Sequence, residues 1–167
     1  MIISNDECCG CGLCAAVCPR QCISMQADAE GFLFPHIDKE KCTDCNLCKK
    51  SCPVNLNAGK ALPSADDDHC IYAISADAAQ VAKASSGGVF PALAKSFLSQ
   101  GGGVTGAAFN QLFDVELKLI EDIEHLPDLM QAKYVQASVP PQFFQQAVNF
   151  LQSGRPLLFQ DTCKRGR

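Results

Sequence analysis

Apolar and polar positions follow regular periods in the second part of the chain, and these periods predict a layer of helices and strands. Residues 115–120 read Val-Glu-Leu-Lys-Leu-Ile, in which apolar and charged side chains alternate as they do in a half-buried strand. Apolar runs and their flanking residues also predict strands at residues 71–75, 103–109 and 156–160, and helices at residues 89–98, 123–130 and 142–152. The expected architecture is an α/β layer of roughly a hundred residues.

The two longer predicted helices each place a set of large apolar side chains on one face. The helix after Gly88 groups Val89, Phe90, Leu93, Phe97 and Leu98. The helix at residues 142–152 groups Phe143, Ala147 and Leu151, with Phe144 and Val148 alongside. Because apolar residues at a 3.6-residue period form a stripe along a helix, we expect both sets to face the core.

The first part of the chain has a different pattern. Residues 22–25 and 32–34 predict two short strands, joined through residues 27–31 as a hairpin. Residues 55–68 combine glycine, proline, alanine and aspartate without hydrophobic periodicity, which is typical of a linker. The sequence therefore predicts an α+β protein in three parts: a first domain at residues 1–56, a linker at residues 57–69 and a partial α/β domain at residues 70–167. The basis for the first of these domains is its cysteines.

Twelve cysteines occur in the chain, and eight of them follow one spacing that is used twice. The spacing is C-x2-C-x2-C-x3-C-P, and its two copies begin at Cys8 and Cys42. Motif one contains Cys8, Cys11, Cys14 and Cys18, and motif two contains Cys42, Cys45, Cys48 and Cys52. Such a repeat predicts two similar halves related by a pseudo-two-fold axis.

This spacing is typical of proteins that hold two 4Fe-4S clusters. The first three cysteines of each motif reach three irons of one cubane, and the fourth is carried past it to the other cluster. We therefore assign Cys8, Cys11, Cys14 and Cys52 to cluster one, and Cys42, Cys45, Cys48 and Cys18 to cluster two. Pro19 and Pro53 are expected to end the short helices that deliver the fourth sulfurs. Residues 1–56 are therefore predicted to form a two-cluster ferredoxin-like domain, and single-electron transfer is the function that this chemistry indicates.

Two other uses of clustered cysteines fit the spacing less well. Structural zinc sites usually separate their two cysteine pairs by a dozen or more residues, whereas each motif here places four thiols within eleven residues. A disulfide framework requires an oxidising compartment, and residues 1–7 lack the basic and apolar pattern of a signal peptide. Cys9 and Cys22 lie outside the motifs and are interpreted as small apolar residues.

Charge and composition narrow the range of partners. The formal net charge is −4, and neither half of the chain carries a basic face for nucleic acid. No apolar run is long enough to span a bilayer, so we expect a cytoplasmic protein. The expected partner of such an electron carrier is a redox protein or a flavoenzyme. No residue pair has the pattern of a general acid with its base, or of a nucleophile with its base, so no catalytic residue is assigned.

Four segments of the second part carry a family resemblance. They are Ser85-Ser86-Gly87-Gly88-Val89-Phe90, residues 103–109 (Gly-Val-Thr-Gly-Ala-Ala-Phe), Lys133-Tyr134-Val135-Gln136 with Ser138, and residues 154–159 (Gly-Arg-Pro-Leu-Leu-Phe). In this order and spacing they resemble the N-terminal domain of the coenzyme F420 hydrogenase/dehydrogenase beta-subunit family. The resemblance implies iron-sulfur flavoproteins that pass electrons between clusters and a flavin or deazaflavin, with FAD or coenzyme F420 as a further cofactor.

The resemblance also implies a cofactor site and a longer protein. Ser85, Ser86, Gly87 and Gly88 precede a helix whose free N–H groups attract anions such as a cofactor phosphate, although a serine N-cap explains the same residues. Lys133 and Tyr134 are the further candidates for cofactor contact. The family continues through a second domain beyond the position of Arg167, so we expect a truncated chain. The alternative to an electron carrier is therefore the N-terminal fragment of a flavin-dependent oxidoreductase that is catalytic only at full length.

Overall fold

The computed structural model describes residues 7–58 and 73–160. These two ranges form separate compact units of mixed helix and strand, so the fold class is α+β. Most of the predicted linker and residues 161–167 lie outside the described residues. In the part of the chain that is described, no helix has both the length and the apolar character needed to cross a membrane.

The described residues of the first unit form a hairpin and three short helices. Its elements are α1 (Leu13–Ala16), β1 (Ile23–Ala27), β2 (Leu33–Ile37), α2 (Leu47–Lys50) and α3 (Pro53–Asn57). Strands β1 and β2 pair antiparallel, from Ile23 opposite Ile37 to Ala27 opposite Leu33, which confirms the predicted hairpin. The Asp28 carboxylate closes its turn by accepting hydrogen bonds from the N–H groups of Glu30 and Phe32, both at 2.9 Å.

The second unit is built on a three-stranded sheet. Its elements are α4 (Ala78–Ala82), α5 (Val89–Ser99), β3 (Gly103–Phe109), β4 (Val115–Ile120), a 3-10 helix (Ile123–His125), α6 (Leu126–Leu129), α7 (Phe143–Gln152) and β5 (Leu157–Phe159). The strand order is β4-β3-β5, with β3 antiparallel to β4 and parallel to β5. The three strands predicted at residues 103–109, 115–120 and 156–160 are thereby confirmed.

The sequence prediction fails at the start of this unit. Residues 71–72 of the predicted strand lie outside the described residues, and residues 73–75 form no strand. Helix α4 follows instead, and the pattern did not predict it. The sequence feature that favours this helix lies next to it: the Asp77 carboxylate accepts hydrogen bonds from the N–H groups of Ala79 and Gln80 at 3.0 and 3.1 Å. Asp77 is therefore an N-cap of the usual type.

Helix α5 is present as predicted, but its buried face differs from the expected one. The buried residues are Pro91, Ala94 and Leu98, whereas Leu93 is 49% exposed. Ala94 is fully buried in a cluster with Val104 of the sheet. Large apolar residues dominate the periodicity of the sequence, so the pattern did not indicate that the small residue Ala94 lies on the buried face, where it lets the helix approach the sheet closely.

Helix α7 shows a similar shift of its buried face. Phe143, Ala147 and Phe150 are buried, while Leu151, which the pattern assigned to the core, is 53% exposed. Phe143 is the most completely buried of the three, at 1% exposure, and its ring lies 5.5 Å from that of Phe144, edge to face. The helix is thus anchored to the unit through its first turn.

Replacing Phe143 with alanine is expected to destabilise the second unit by about 3–5 kcal/mol, because the surrounding residues cannot fill the cavity that the ring leaves. Leu151→Ala on the same helix is the matched control, with an expected change within about 0.5 kcal/mol because Leu151 is half exposed. Denaturant unfolding of the full chain, followed by circular dichroism, measures both. Equal effects of the two substitutions would contradict the packing described here.

Candidate metal centre

The two cysteine motifs adopt the same backbone conformation at equivalent positions. Gly10 and Asp44, each two positions after the first cysteine of its motif, have left-handed φ angles of 67° and 51°. Gly12 and Asn46, each directly after the second cysteine, have φ angles of 73° and 60°. Glycine, asparagine and aspartate are the residues that tolerate this conformation, so each motif can bend its backbone twice before its third cysteine. The sequence prediction did not include these four residues, although glycine, asparagine and aspartate are the residue types that indicate a left-handed conformation.

The first cysteine of each motif receives a hydrogen bond from its own loop. The Gly10 N–H donates to the Sγ of Cys8 at 3.4 Å, and the Asp44 N–H donates to the Sγ of Cys42 at 3.5 Å. Hydrogen bonds to the sulfurs are one of the factors that set the reduction potential of an iron-sulfur cluster. The two loops therefore present their first sulfurs in equivalent environments.

A four-residue helix follows in each motif and carries the third cysteine. Helix α1 begins after Gly12 and contains Cys14, and α2 begins after Asn46 and contains Cys48. The chain then turns so that the N–H of Cys18 donates to the Ala15 carbonyl at 3.3 Å. In motif two, the Cys52 N–H donates to the Lys49 carbonyl at 3.4 Å. The motifs are thus structural repeats from their first to their fourth cysteine.

The proposed role of the two prolines is wrong. Helices α1 and α2 end at Ala16 and Lys50, which precede the fourth cysteines, so neither proline ends a helix. Pro53 instead begins helix α3, with Cys52 as its N-cap. Proline suits this first helical position because it lacks the N–H that would be unpaired there.

One cavity of the first unit brings together cysteines of both motifs. Three of them come from motif one and the fourth is Cys52 of motif two. The lining residues are Cys8, Cys9, Cys11, Gly12, Cys14, Met25, Pro35, Cys52, Pro53 and Val54. Apart from its sulfurs, this wall is almost entirely apolar, so a group held there would be shielded from water.

A second cavity of the same unit shows the reciprocal arrangement. It contains the first three cysteines of motif two, namely Cys42, Cys45 and Cys48, together with Cys18 of motif one. Cys22, Ile23, Ile37 and Leu47 line it as well, and Arg20, Asp44 and Lys49 lie at its polar edge. Cys45 is exposed, whereas Cys52 at the first cavity is buried. The second cavity is therefore the more accessible of the two to solvent.

The four motif cysteines of each set line one cavity together. Among the described residues, no three His, Cys, Asp or Glu side chains are arranged to hold a single metal ion. A cubane places its irons at separate corners, so it requires one thiolate for each of four irons around a common centre. Each cavity supplies such a set of four from the motifs, and the donor atoms therefore fit a 4Fe-4S cluster.

The environments of the thiols differ within and between the two sets. Burial raises the pKa of Cys14 to about 11. Burial also acts to raise the pKa of Cys18, but hydrogen bonds from the backbone N–H groups of Cys22, Arg20 and Gln21 lower it overall. The pKa of Cys22 is raised to about 11, first by its hydrogen bond with Cys18 and then by burial. Of this neighbouring pair, Cys18 is therefore the sulfur that favours the thiolate.

The cofactor residues suggested for the second unit fall into two groups. Ser85, Ser86, Gly87 and Gly88 line a cavity of about 300 Å³ beside the start of α5. Gly88, with φ 73°, is the N-cap of this helix, so the alternative explanation of the segment, a serine N-cap, is wrong. Ser85 has a different role, since its Oγ accepts a hydrogen bond from the Ala132 N–H at 2.7 Å.

Lys133 and Tyr134 do not line this cavity. The Lys133 ammonium group donates hydrogen bonds to the carbonyl oxygens of Asp128 and Met130, at 2.9 and 2.6 Å, and so caps the end of α6. Burial lowers the pKa of Lys133. The Tyr134 side chain is 95% exposed. The structure thus brings the serine-glycine segment to the cavity but not the other two residues.

Comparison with protein-family models gives one match. Residues 7–56 match the 4Fe-4S dicluster domain. The chain matches no curated protein. The matched residues contain both motifs and both cavities lined by cysteines. Residues 7–56 are therefore a 4Fe-4S dicluster domain, whose chemistry is iron-sulfur electron transfer.

Proposed function

We propose that the protein relays single electrons through two 4Fe-4S clusters with crossed ligand sets. Cluster one would be held by Cys8, Cys11, Cys14 and Cys52, and cluster two by Cys42, Cys45, Cys48 and Cys18. The observation that supports this assignment is that each cavity is lined by the first three cysteines of one motif and the fourth cysteine of the other. Bound clusters supply one-electron oxidation and reduction; the residues of the chain hold them and set their surroundings.

The first unit keeps the two sites close together. Helices α1 and α2, which carry Cys14 and Cys48, contact each other. The two sulfurs are near enough for the charge of Cys48 to raise the pKa of Cys14. Because the third ligands of the two clusters are neighbours, an electron that enters at one cluster can pass to the other within the same unit.

The accessible side of cluster two is the proposed exchange site for a redox partner protein or flavoenzyme. Cys45 is exposed there, and Lys49 lies at the edge of the cavity. Lys49 and Lys50 form the last turn of α2 and give this edge a positive charge. An acidic surface on the partner would complement it.

A second candidate function concerns the second unit. The cavity beside α5 has about the volume of the smaller ligand pockets in proteins, and its serine-glycine wall lies at the N-terminus of an eleven-residue helix. This supports the alternative that the chain is the N-terminal part of an F420-type flavin-dependent oxidoreductase. FAD or coenzyme F420 would then exchange electrons with the clusters.

Iron and sulfide analysis of anaerobically purified full-length chain tests the first proposal. We expect about eight irons per chain and, after reduction, an electron paramagnetic resonance signal from two interacting clusters. A chain that contains zinc, or disulfides and no iron, would contradict the proposal. Flavin fluorescence of the same sample bears on the second candidate: a bound flavin would favour the flavoenzyme, and its absence from protein that retains both clusters would favour the carrier.

A further inference from the structure

Cys22 is a fifth thiol at the second cavity. Its Sγ lies 3.4 Å from the Sγ of Cys18, and it lines the same cavity as the four cysteines assigned to cluster two. Cys22 is 5% exposed, so its thiol is shielded from bulk solvent. The interpretation of this residue as only a small apolar side chain does not account for its position among four ligands.

The backbone fixes Cys22 relative to motif two. Cys22 immediately precedes β1, and its carbonyl oxygen accepts a hydrogen bond from the Asp38 N–H at 2.8 Å. The Asp38 carbonyl accepts a hydrogen bond in turn from the Cys42 N–H at 3.1 Å. Two consecutive backbone hydrogen bonds therefore connect Cys22 to the first cysteine of motif two.

The distance between the two sulfurs is close to that between two sulfurs that share a metal. Two thiolates bound to one tetrahedral metal at about 2.3 Å lie about 3.8 Å apart. Cys18 and Cys22 are closer than this, at 3.4 Å. An iron bound by Cys18 would therefore come within reach of Cys22 after a small rotation of the side chain.

We propose that Cys22 is a reserve ligand of cluster two, which binds the iron of Cys18 when Cys18 is absent or released. This inference rests on the proposed function. In the exchange, the bond between iron and the Cys18 sulfur breaks and a bond between iron and the Cys22 sulfur forms. Cys22 releases its proton to water, and the Cys18 sulfur takes one up. No electron is gained or lost.

The repeat supplies an internal control for this proposal. Leu56 stands at the position of motif two that is equivalent to Cys22, and it has no ligating atom. Cys52 therefore lacks the neighbour that Cys18 has four residues later. Cys9 also lines the first cavity, but it directly follows the ligand Cys8 in the chain, and its side chain is hydrogen-bonded to Cys11.

The experiment compares Cys18→Ala with the double variant Cys18→Ala/Cys22→Ala, in the full chain purified anaerobically. The single variant is expected to retain the wild-type iron content of about eight per chain and the resonance signals of both clusters. The double variant is expected to lose the signal of cluster two and to fall toward about half that iron content. Cys52→Ala is the control, because Cys52 has Leu56 and not a thiol four residues later, and it is expected to lose the signal of cluster one.

Cys18→Val is a second variant that cannot bind iron at this position, and valine is closer to cysteine in size. It shows whether a loss seen in Cys18→Ala is a folding defect that is specific to alanine. Loss of cluster two from both Cys18→Ala and Cys18→Val, to the same extent as in the double variant, would overturn the reserve-ligand proposal. Retention of cluster two by the double variant would overturn it as well. If the wild-type protein contains two clusters in the same experiments, the proposed function stands and only the reserve-ligand proposal fails.

Discussion

Replacing Cys52 with alanine is expected to abolish the signal of cluster one, although Cys52 belongs to motif two. The reason is geometric, because Cys52 lines the cavity of Cys8, Cys11 and Cys14, while Cys48 lines the other. Without Cys52, one iron of the cubane has no protein ligand, and that iron or the whole cluster should be lost. The iron content of the anaerobically purified variant should fall below that of the wild type.

Two single variants show which cluster was affected. Cys14→Ala removes an uncrossed ligand of cluster one, and Cys48→Ala removes an uncrossed ligand of cluster two. With crossed ligand sets, the residual resonance spectrum and redox titration of Cys52→Ala should match those of Cys14→Ala. With each motif holding its own cluster, they would match those of Cys48→Ala, and the crossed assignment would then be wrong.

The spacing of the cysteines carried most of the information about the metal centre. It led to a crossed assignment, and the two cavities group the eight motif cysteines in the same way. What the spacing did not predict was the position of Cys22. Its place beside Cys42 depends on the hydrogen bonds of Asp38 to Cys22 and Cys42, which join residues distant in sequence. A pattern of neighbours along the chain contains no such contact.

The second unit shows where periodicity is reliable and where it is not. Alternation correctly predicted strand β4, because successive side chains of a strand point to opposite faces of the sheet. Helix faces were harder, since Ala94 and Phe150 are buried while Leu93 and Leu151 are half exposed. The packing of a helix on a sheet depends on close approach as well as on hydrophobicity, and close approach is a property of the assembled unit.

The role of Lys133 could not be predicted from the sequence for a similar reason. Its position in a segment that resembles a family of flavoproteins suggested cofactor contact. In the structure its ammonium group hydrogen-bonds the carbonyl oxygens of Asp128 and Met130 at the end of α6. Carbonyls at a helix C-terminus lack partners within the helix, and a lysine side chain nearby satisfies them. This capping role depends on where α6 ends, which the pattern placed one residue later, at Met130.

Removing iron is expected to unfold the first unit and leave the second unit folded. Among the described residues of the first unit, the buried apolar cluster consists of Cys22, Ile23 and Cys52, and most of the partly buried side chains packed against it are further cysteines. A unit of this size buries too little apolar surface to be stable by itself, so bonds between metal and thiolate should supply much of its folding free energy. The second unit has a core of aliphatic and aromatic side chains, such as Val104 and Phe143, that does not depend on metal.

Hydrogen exchange of the full chain, read by mass spectrometry before and after an iron chelator, measures both units at once. Protection of the β1–β2 hairpin, residues 23–37, should be lost on chelation, whereas protection of β3, residues 103–109, should be unchanged. The same chelator saturated with iron is the control, because it cannot take iron from the protein. Persistent protection of the hairpin in protein shown to be free of iron would mean that the apolar contacts of Ile23 and Ile37 are sufficient to hold the first unit together.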